Sequence, residues 1–242
     1  MLLDHSWLPF LSTVVTALFT AAVFRRWLAR RHAHLLWWSL GLALYGLGTL
    51  AEAALALAPN LSLLRLWYLA GAMLTAAWLG HGTVALLIRR ERVAWALTVA
   101  LVAASILAAV AVSLAPAHPE AFRVGVAVSS QYKAVLDRTG LMILLTILLN
   151  VYGTLTLVGG ALWSAWLFFR KRVLFHRVAG NVLIAAGAML PAGAGTFIRL
   201  GLGDYLYLSE LLGAALMFAG CWVATQPQPV PARAALHPAP SR

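Results

Sequence analysis

Seven long apolar runs, joined by short segments that alternate between arginine-rich and nearly cation-free, constrain this chain more than any other feature. They cover about residues 7–24, 35–57, 66–88, 93–115, 141–169, 178–200 and 205–225. A helix needs about 20 apolar residues to cross a hydrocarbon core about 30 Å thick, and the runs match that length. Open strands are excluded, because lipid offers no partner for unpaired backbone groups. Composition agrees: 62% of the 242 residues are hydrophobic and only 10% are charged, against about 25% charged in soluble domains. The expected fold class is all-α, a polytopic integral membrane protein with seven transmembrane helices, its bundle filling residues 1–225.

The charges orient the bundle. Asp4 and His5 precede the first run, whereas Arg25, Arg26, Arg30 and Arg31 follow it. A signal peptide carries its positive charge in front, so the first run reads as an uncleaved anchor with the N-terminus outside. Arg89, Arg90, Arg92, Arg170, Lys171, Arg172, Arg177, Arg233 and Arg242 then fall on the same side as those four arginines. Arg65, Arg123, Lys133, Arg138 and Arg199 fall on the other. Cations mark the cytoplasmic face, which puts the C-terminus inside and the protein in a bacterial cytoplasmic (inner) membrane, multi-pass. The net charge of +11 therefore points to membrane lipids with anionic head groups, and not to nucleic acid. Residues 226–242, with five prolines in QPQPVPARAALHPAP, are expected to be a disordered cytoplasmic tail.

Few polar groups enter the membrane, and they cluster by depth. Glu52 lies five residues from the outer end of the second run, and Glu210 six residues into the seventh. A rise of 1.5 Å per residue puts each carboxyl roughly 8–9 Å below the outer boundary. Arg65 and Arg199 come just above them, and Tyr45, Tyr68, Tyr205 and Tyr207 add hydroxyls in the same outer half. An unpaired intramembrane charge costs several kcal/mol, so Glu52, Arg65, Tyr68, Arg199, Tyr205 and Glu210 are expected to form an ion-pair cluster. That cluster is either a structural polar cap or the lining of a pocket for a small polar or zwitterionic ligand. Small-residue stripes ending in the charged positions turn them inward: Gly41, Tyr45, Gly48 and Glu52 in the second run, and Glu210, Gly213, Met217 and Gly220 in the seventh. A third stripe, Asn181, Ala185, Ala188, Ala192 and Gly195, ends in Arg199, and Pro191 is expected to kink that run. Pro116 to Gly140 is the one long outer segment, with a strand expected near residues 122–128 and a more helical stretch over 131–138, placed as a lid over the bundle.

Deeper polar residues are His81 and Asn150, expected to be interior hydrogen-bonding groups. No metal site and no cofactor is expected. Haem held by two histidines needs a partner at matching depth, and His81 has none. A retinal pigment needs a lysine in its last helix, whereas Lys133 and Lys171 both lie outside the core. No nucleophile–base pair or phosphate loop is visible, and the cytoplasmic loops are too short to hold a catalytic domain. Cys221 is the single cysteine, so no internal disulfide exists.

Two stretches carry a resemblance. RLWYLAGAMLTAAWLGHGTVALL, through Arg65, Tyr68, Gly71, Trp78, Gly80, Gly82 and Thr83, resembles a family of stand-alone bacterial seven-helix membrane proteins of unassigned function. RVAGNVLIAAGAMLPAGAG, through Gly180, Asn181 and Gly187, carries the same likeness. Helix order and short loops are also similar, more loosely, to the seven-helix sensing regions of bacterial histidine kinases, without the kinase. The resemblance implies the fold and imports no mechanism. The function expected is a non-enzymatic membrane component that binds or senses a small ligand, or serves as an accessory subunit, and acts through a membrane protein partner. A small proton-coupled secondary transporter is the alternative, and an intramembrane enzyme the third reading.

Overall fold

A computed structural model describes residues 7–88, 90–172, 175–199 and 206–226, the side chains of 194–199 excepted. Its long helices are α1 (Leu8–Arg30), α2 (Ala33–Leu57), α3 (Leu61–Leu87), α4 (Glu91–Leu114), α6 (Gly140–Arg170), α7 (Phe175–Arg199) and α8 (Leu206–Ala224), with a short α5 (Val128–Val135) between α4 and α6. Among the described residues no strand forms. Six of these helices (α1–α4, α6 and α8) are long and apolar enough to cross a membrane. The remaining long helix, α7, has 25 residues, of which ten are alanine or glycine and five are polar or charged. Large apolar side chains such as Leu18, Trp95, Ile106, Leu144 and Leu155 face outward. Such an exterior suits lipid and not water, as expected of a multi-pass membrane protein.

Local chemistry fixes the helix ends. Pro9 sits in the first turn of α1, where its missing N–H costs nothing. Asn60 caps α3 by accepting from the Leu63 amide at 3.1 Å, and Thr139 caps α6 by accepting from the Met142 amide at 3.3 Å. α1 stops at Arg31, whose left-handed backbone (φ 55°) turns the chain straight into α2.

The helices pack in a closed ring in the order α1, α2, α3, α6, α7, α8, with α8 returning to α1. α4 lies outside the ring against α3 and α6 and buries only Leu101, Ala108 and Val112. Most of its surface is turned away from the other helices. The tightest joint is between α7 and α8. An ideal Cβ on Gly180 would stand 2.6 Å from the Gly220 carbonyl, and one on Gly187 2.7 Å from the Gly213 carbonyl, with the same clashes in reverse. Seven-residue spacing on two antiparallel helices thus places backbone against backbone. The α8 stripe expected from the sequence makes this contact through Gly213 and Gly220, against Gly180 and Gly187 of α7. Pro191 leaves α7 continuous and packs its ring against Gly213.

Within α3, Trp67–Leu74 widens into a π-helix. Thr75 marks it by donating to the Ala70 carbonyl five residues back at 2.8 Å. Asn150 of α6 donates to the Ala72 carbonyl in this segment at 2.8 Å, so the interhelical role expected for it is the one it plays. Gly71, mid-segment, lies against Gly48 of α2, where a Cβ on Gly48 would stand 2.8 Å from the Gly71 Cα.

The expected strand near 122–128 does not form. Gln131 does a partner strand's work: its Oε1 accepts from the Arg123 amide at 2.7 Å, and its Nε2 donates to the Arg123 and Val126 carbonyls at 3.0 and 2.7 Å. With those backbone groups satisfied by one side chain, the segment stays a turn, with Gly125 at φ 83°. Helix begins at Val128, earlier than expected, and a single bridge between Ala117 and Leu136 closes the loop.

Gly187→Val is expected to lower the thermal stability of the purified protein by about 1–3 kcal/mol through overpacking. Gly159→Ala, whose Cβ meets nothing within 4 Å, is expected to leave it unchanged or raise it by about 0.5–1 kcal/mol. Thermal unfolding in detergent checks both.

Candidate functional site

A cavity of about 540 Å³ occupies the centre of the ring beneath α5. Its walls come from α2, α3, α6, α7 and α8, and its rim from Ser129, Tyr132, Lys133 and Arg138 of the long loop. The loop thus covers part of the cavity's mouth, where the sequence placed it as a lid. Tyr132 anchors it, packing on Trp67 and Tyr68 with ring centroids 5.4 and 5.5 Å away. The Arg138 guanidinium in turn lies 5.2 Å over the Tyr132 ring.

Glu52 and Glu210 both line the cavity. Glu52 arrives on the buried face of α2 with Gly41, Tyr45, Gly48 and Thr49, and is 1% exposed. Its carboxyl meets that of Glu210, with the Trp67 indole alongside. The Tyr45 hydroxyl donates to the Glu210 backbone carbonyl at 2.8 Å, tying α2 to the first turn of α8. Among the described residues, neither oxygen of Glu52, nor Oε2 of Glu210, has a donor in hydrogen-bonding geometry. Two bare carboxylates so placed repel each other. Only a proton held between them or a cation against both makes the arrangement stable. Thr49, Thr75, Thr146 and Asn150 add hydroxyl and amide groups along the same walls.

Arg65 does not join these acids. Its Nη2 donates to the Ala115 carbonyl at 2.8 Å, and its Nε is buried with no partner among the described residues. Ala115 caps α4, where the final carbonyls lack helical partners and carry partial negative charge, so the guanidinium goes there. Among the described residues neither Glu52 nor Glu210 makes a salt bridge. The ion pairs expected between Arg65 and these carboxylates are thus replaced by an acid–acid contact. Tyr68, 1% exposed, stands behind the wall with its hydroxyl 3.1 Å from that of Thr146. Tyr205 and the Arg199 side chain lie outside the described residues.

His81 is an interior hydrogen-bonding group, set apart from the cavity. The Thr98 hydroxyl donates to the Ala94 carbonyl at 2.9 Å, which leaves it to accept from His81 Nε2 at 2.8 Å. Nδ1 then accepts from the Tyr152 hydroxyl at 2.9 Å. Trp37 and Trp78 close the ring edges.

Sequence reasoning missed Lys133 and Arg138 as rim cations and Tyr132 as the anchor. The available signal was the helical spacing of Val128, Gln131, Tyr132, Val135 and Leu136, which gives a short helix one buried face. At the base of the lid, His118 Nε2 meets Asp137 Oδ2 at 3.1 Å, and Nδ1 meets Glu120 Oε1 at 3.3 Å. Comparison of the chain with protein-family models, curated proteins and solved structures finds no match.

The Asp137 carboxylate, seconded by Glu120, holds the His118 imidazolium above its ordinary value of 6.5. A raised value means the clasp is complete at low pH and is lost as pH climbs through it. NMR titration of His118 is expected to give a midpoint above 6.5, and Asp137→Asn is expected to bring it down.

Proposed function

We propose that this is a non-enzymatic membrane protein of seven spans, N-terminus outside, that binds a small cationic or zwitterionic ligand in the cavity beneath the lid. The observation that carries the reading is the pair of buried acids, Glu52 and Glu210, facing an open volume of about 540 Å³ with three oxygens that lack donors among the described residues. An ammonium group between them supplies the missing donors and charge. A ligand anion finds Lys133 and Arg138 at the rim, so a zwitterion enters cation first. Charge opposition at both ends gives orientation as well as affinity.

The seventh span in this reading is α7, held across the membrane by its backbone contact with α8. Orientation rests on the arginine-rich turns opposite the lid. There Arg31 covers Trp27, Arg170 covers Trp166 and Arg177 covers Phe168, at 4.7, 5.3 and 5.5 Å. Arginines paired with aromatic rings suit the level of anionic head groups on a bacterial inner-membrane cytoplasmic face. The same turns offer the surface through which ligand binding would reach a membrane protein partner.

Putrescine, γ-aminobutyrate and butyrate, as dication, zwitterion and anion, test the reading by thermal stabilisation of the purified protein. The first two are expected to stabilise and butyrate is not. Glu52→Gln or Glu210→Gln is expected to weaken binding by about 2–5 kcal/mol. Lys133→Ala with Arg138→Ala is expected to weaken γ-aminobutyrate alone. Absence of stabilisation by either amine, or stabilisation indifferent to both glutamates, contradicts it.

A further inference from the structure

A second, smaller cavity of about 90 Å³ lies toward the arginine-rich end, bounded among others by Thr83, Ser164, Asn181 and Cys221. It shares three wall residues with the large cavity: Leu79 of α3, Leu157 of α6 and Met217 of α8. All three are buried, at 6%, 7% and 4% exposure. The Met217 Cγ lies where a Cβ on Gly187 would come within 2.9 Å, so α7 backs the constriction. Asn181 stands six residues from the start of α7, and Cys221 three from the end of α8. Arg26 reaches this mouth, its Nη1 being 3.4 Å from Cys221 Sγ.

We infer that the two cavities are halves of one passage through the ring, closed by an apolar gate of Leu79, Leu157 and Met217. The inference rests on the ligand-binding reading and adds transport to it: a cationic or zwitterionic solute held by Glu52 and Glu210 moves on to the arginine-rich side when the gate parts. Three aliphatic side chains meeting across a pore exclude water and ions without any charged barrier. Met217, unbranched and flexible, yields most readily. The gate is divided between helices, so a shift of the close-packed α7–α8 pair against α3 and α6 opens it, as in carriers whose helix bundles rock about a central site. Beyond the gate, Thr83, Ser164 and Asn181 replace part of the solute's lost water.

The chain's single cysteine supplies the test, since Cys221 lies on the far side of the gate. The probe is the membrane-impermeant, permanently cationic reagent trimethylammonioethyl methanethiosulfonate, added to sealed vesicles with the lid face outward. Thr49→Cys in a Cys221→Ser background reports on the outer cavity and is expected to react promptly. Cys221 in the otherwise unaltered protein is expected to react slowly, and Met217→Ala or Leu157→Ala, by leaving a void in the gate, to raise its rate about tenfold or more. Thr83→Cys with Cys221→Ser, a second inner reporter, is expected to respond alike. Unchanged rates at both inner reporters, with Thr49→Cys still reacting, show a closed-ended pocket: the passage is overturned and ligand binding stands. A Thr49→Cys thiol that does not react from the lid face overturns both.

Discussion

Two carboxyls facing each other in a low-dielectric interior are the constraint on which this structure turns. An unpaired buried charge costs far more than surrounding packing returns, so Glu52 and Glu210 are tolerable only where a counter-charge or proton has access. The cavity supplies that access. The ring places α2 beside α8 so that both acids reach one volume, and the Tyr45 bond to the Glu210 carbonyl fixes their register. Were the two helices a turn out of step, each acid would need its own partner among apolar neighbours.

Holding a cavity open inside a membrane bundle requires the walls to be rigid by other means. Lipid provides little drive for helices to associate, so packing contacts must do it. Backbone contact at Gly180–Gly220 and Gly187–Gly213 does this for α7 and α8, and Gly48–Gly71 for α2 and α3. The π segment beside Gly71 frees backbone carbonyls that Asn150 and Thr75 then occupy. Small residues thus concentrate where helices touch, and the polar groups left over point into the void.

Much of the fold was legible in the sequence because apolar length and arginine placement are local properties. The helices follow the apolar runs to within a few residues at most ends, and the inward direction of Glu52 and Glu210 was readable from the Gly48 and Gly213 stripes. Pairing was not legible. Depth along the membrane placed Arg65 near Glu52, but depth says nothing of azimuth, and the bare carbonyl end of α4 at Ala115 won the guanidinium. Nor did apolar alternation at 122–128 reveal that the Gln131 amide would satisfy the backbone a strand partner was expected to satisfy. A cavity spanning five helices and a loop has no linear signature at all, and its rim cations read in sequence as ordinary loop charges.

The central claim is that one cationic group engages both acids at once. Infrared difference spectroscopy during putrescine addition addresses it directly, because carboxyl bands report on the groups themselves. A ligand-induced change in carboxyl absorption is expected, and it is expected to disappear in Glu52→Gln and in Glu210→Gln alike. A spectrum with no carboxyl change on binding, or one that survives either substitution intact, contradicts it.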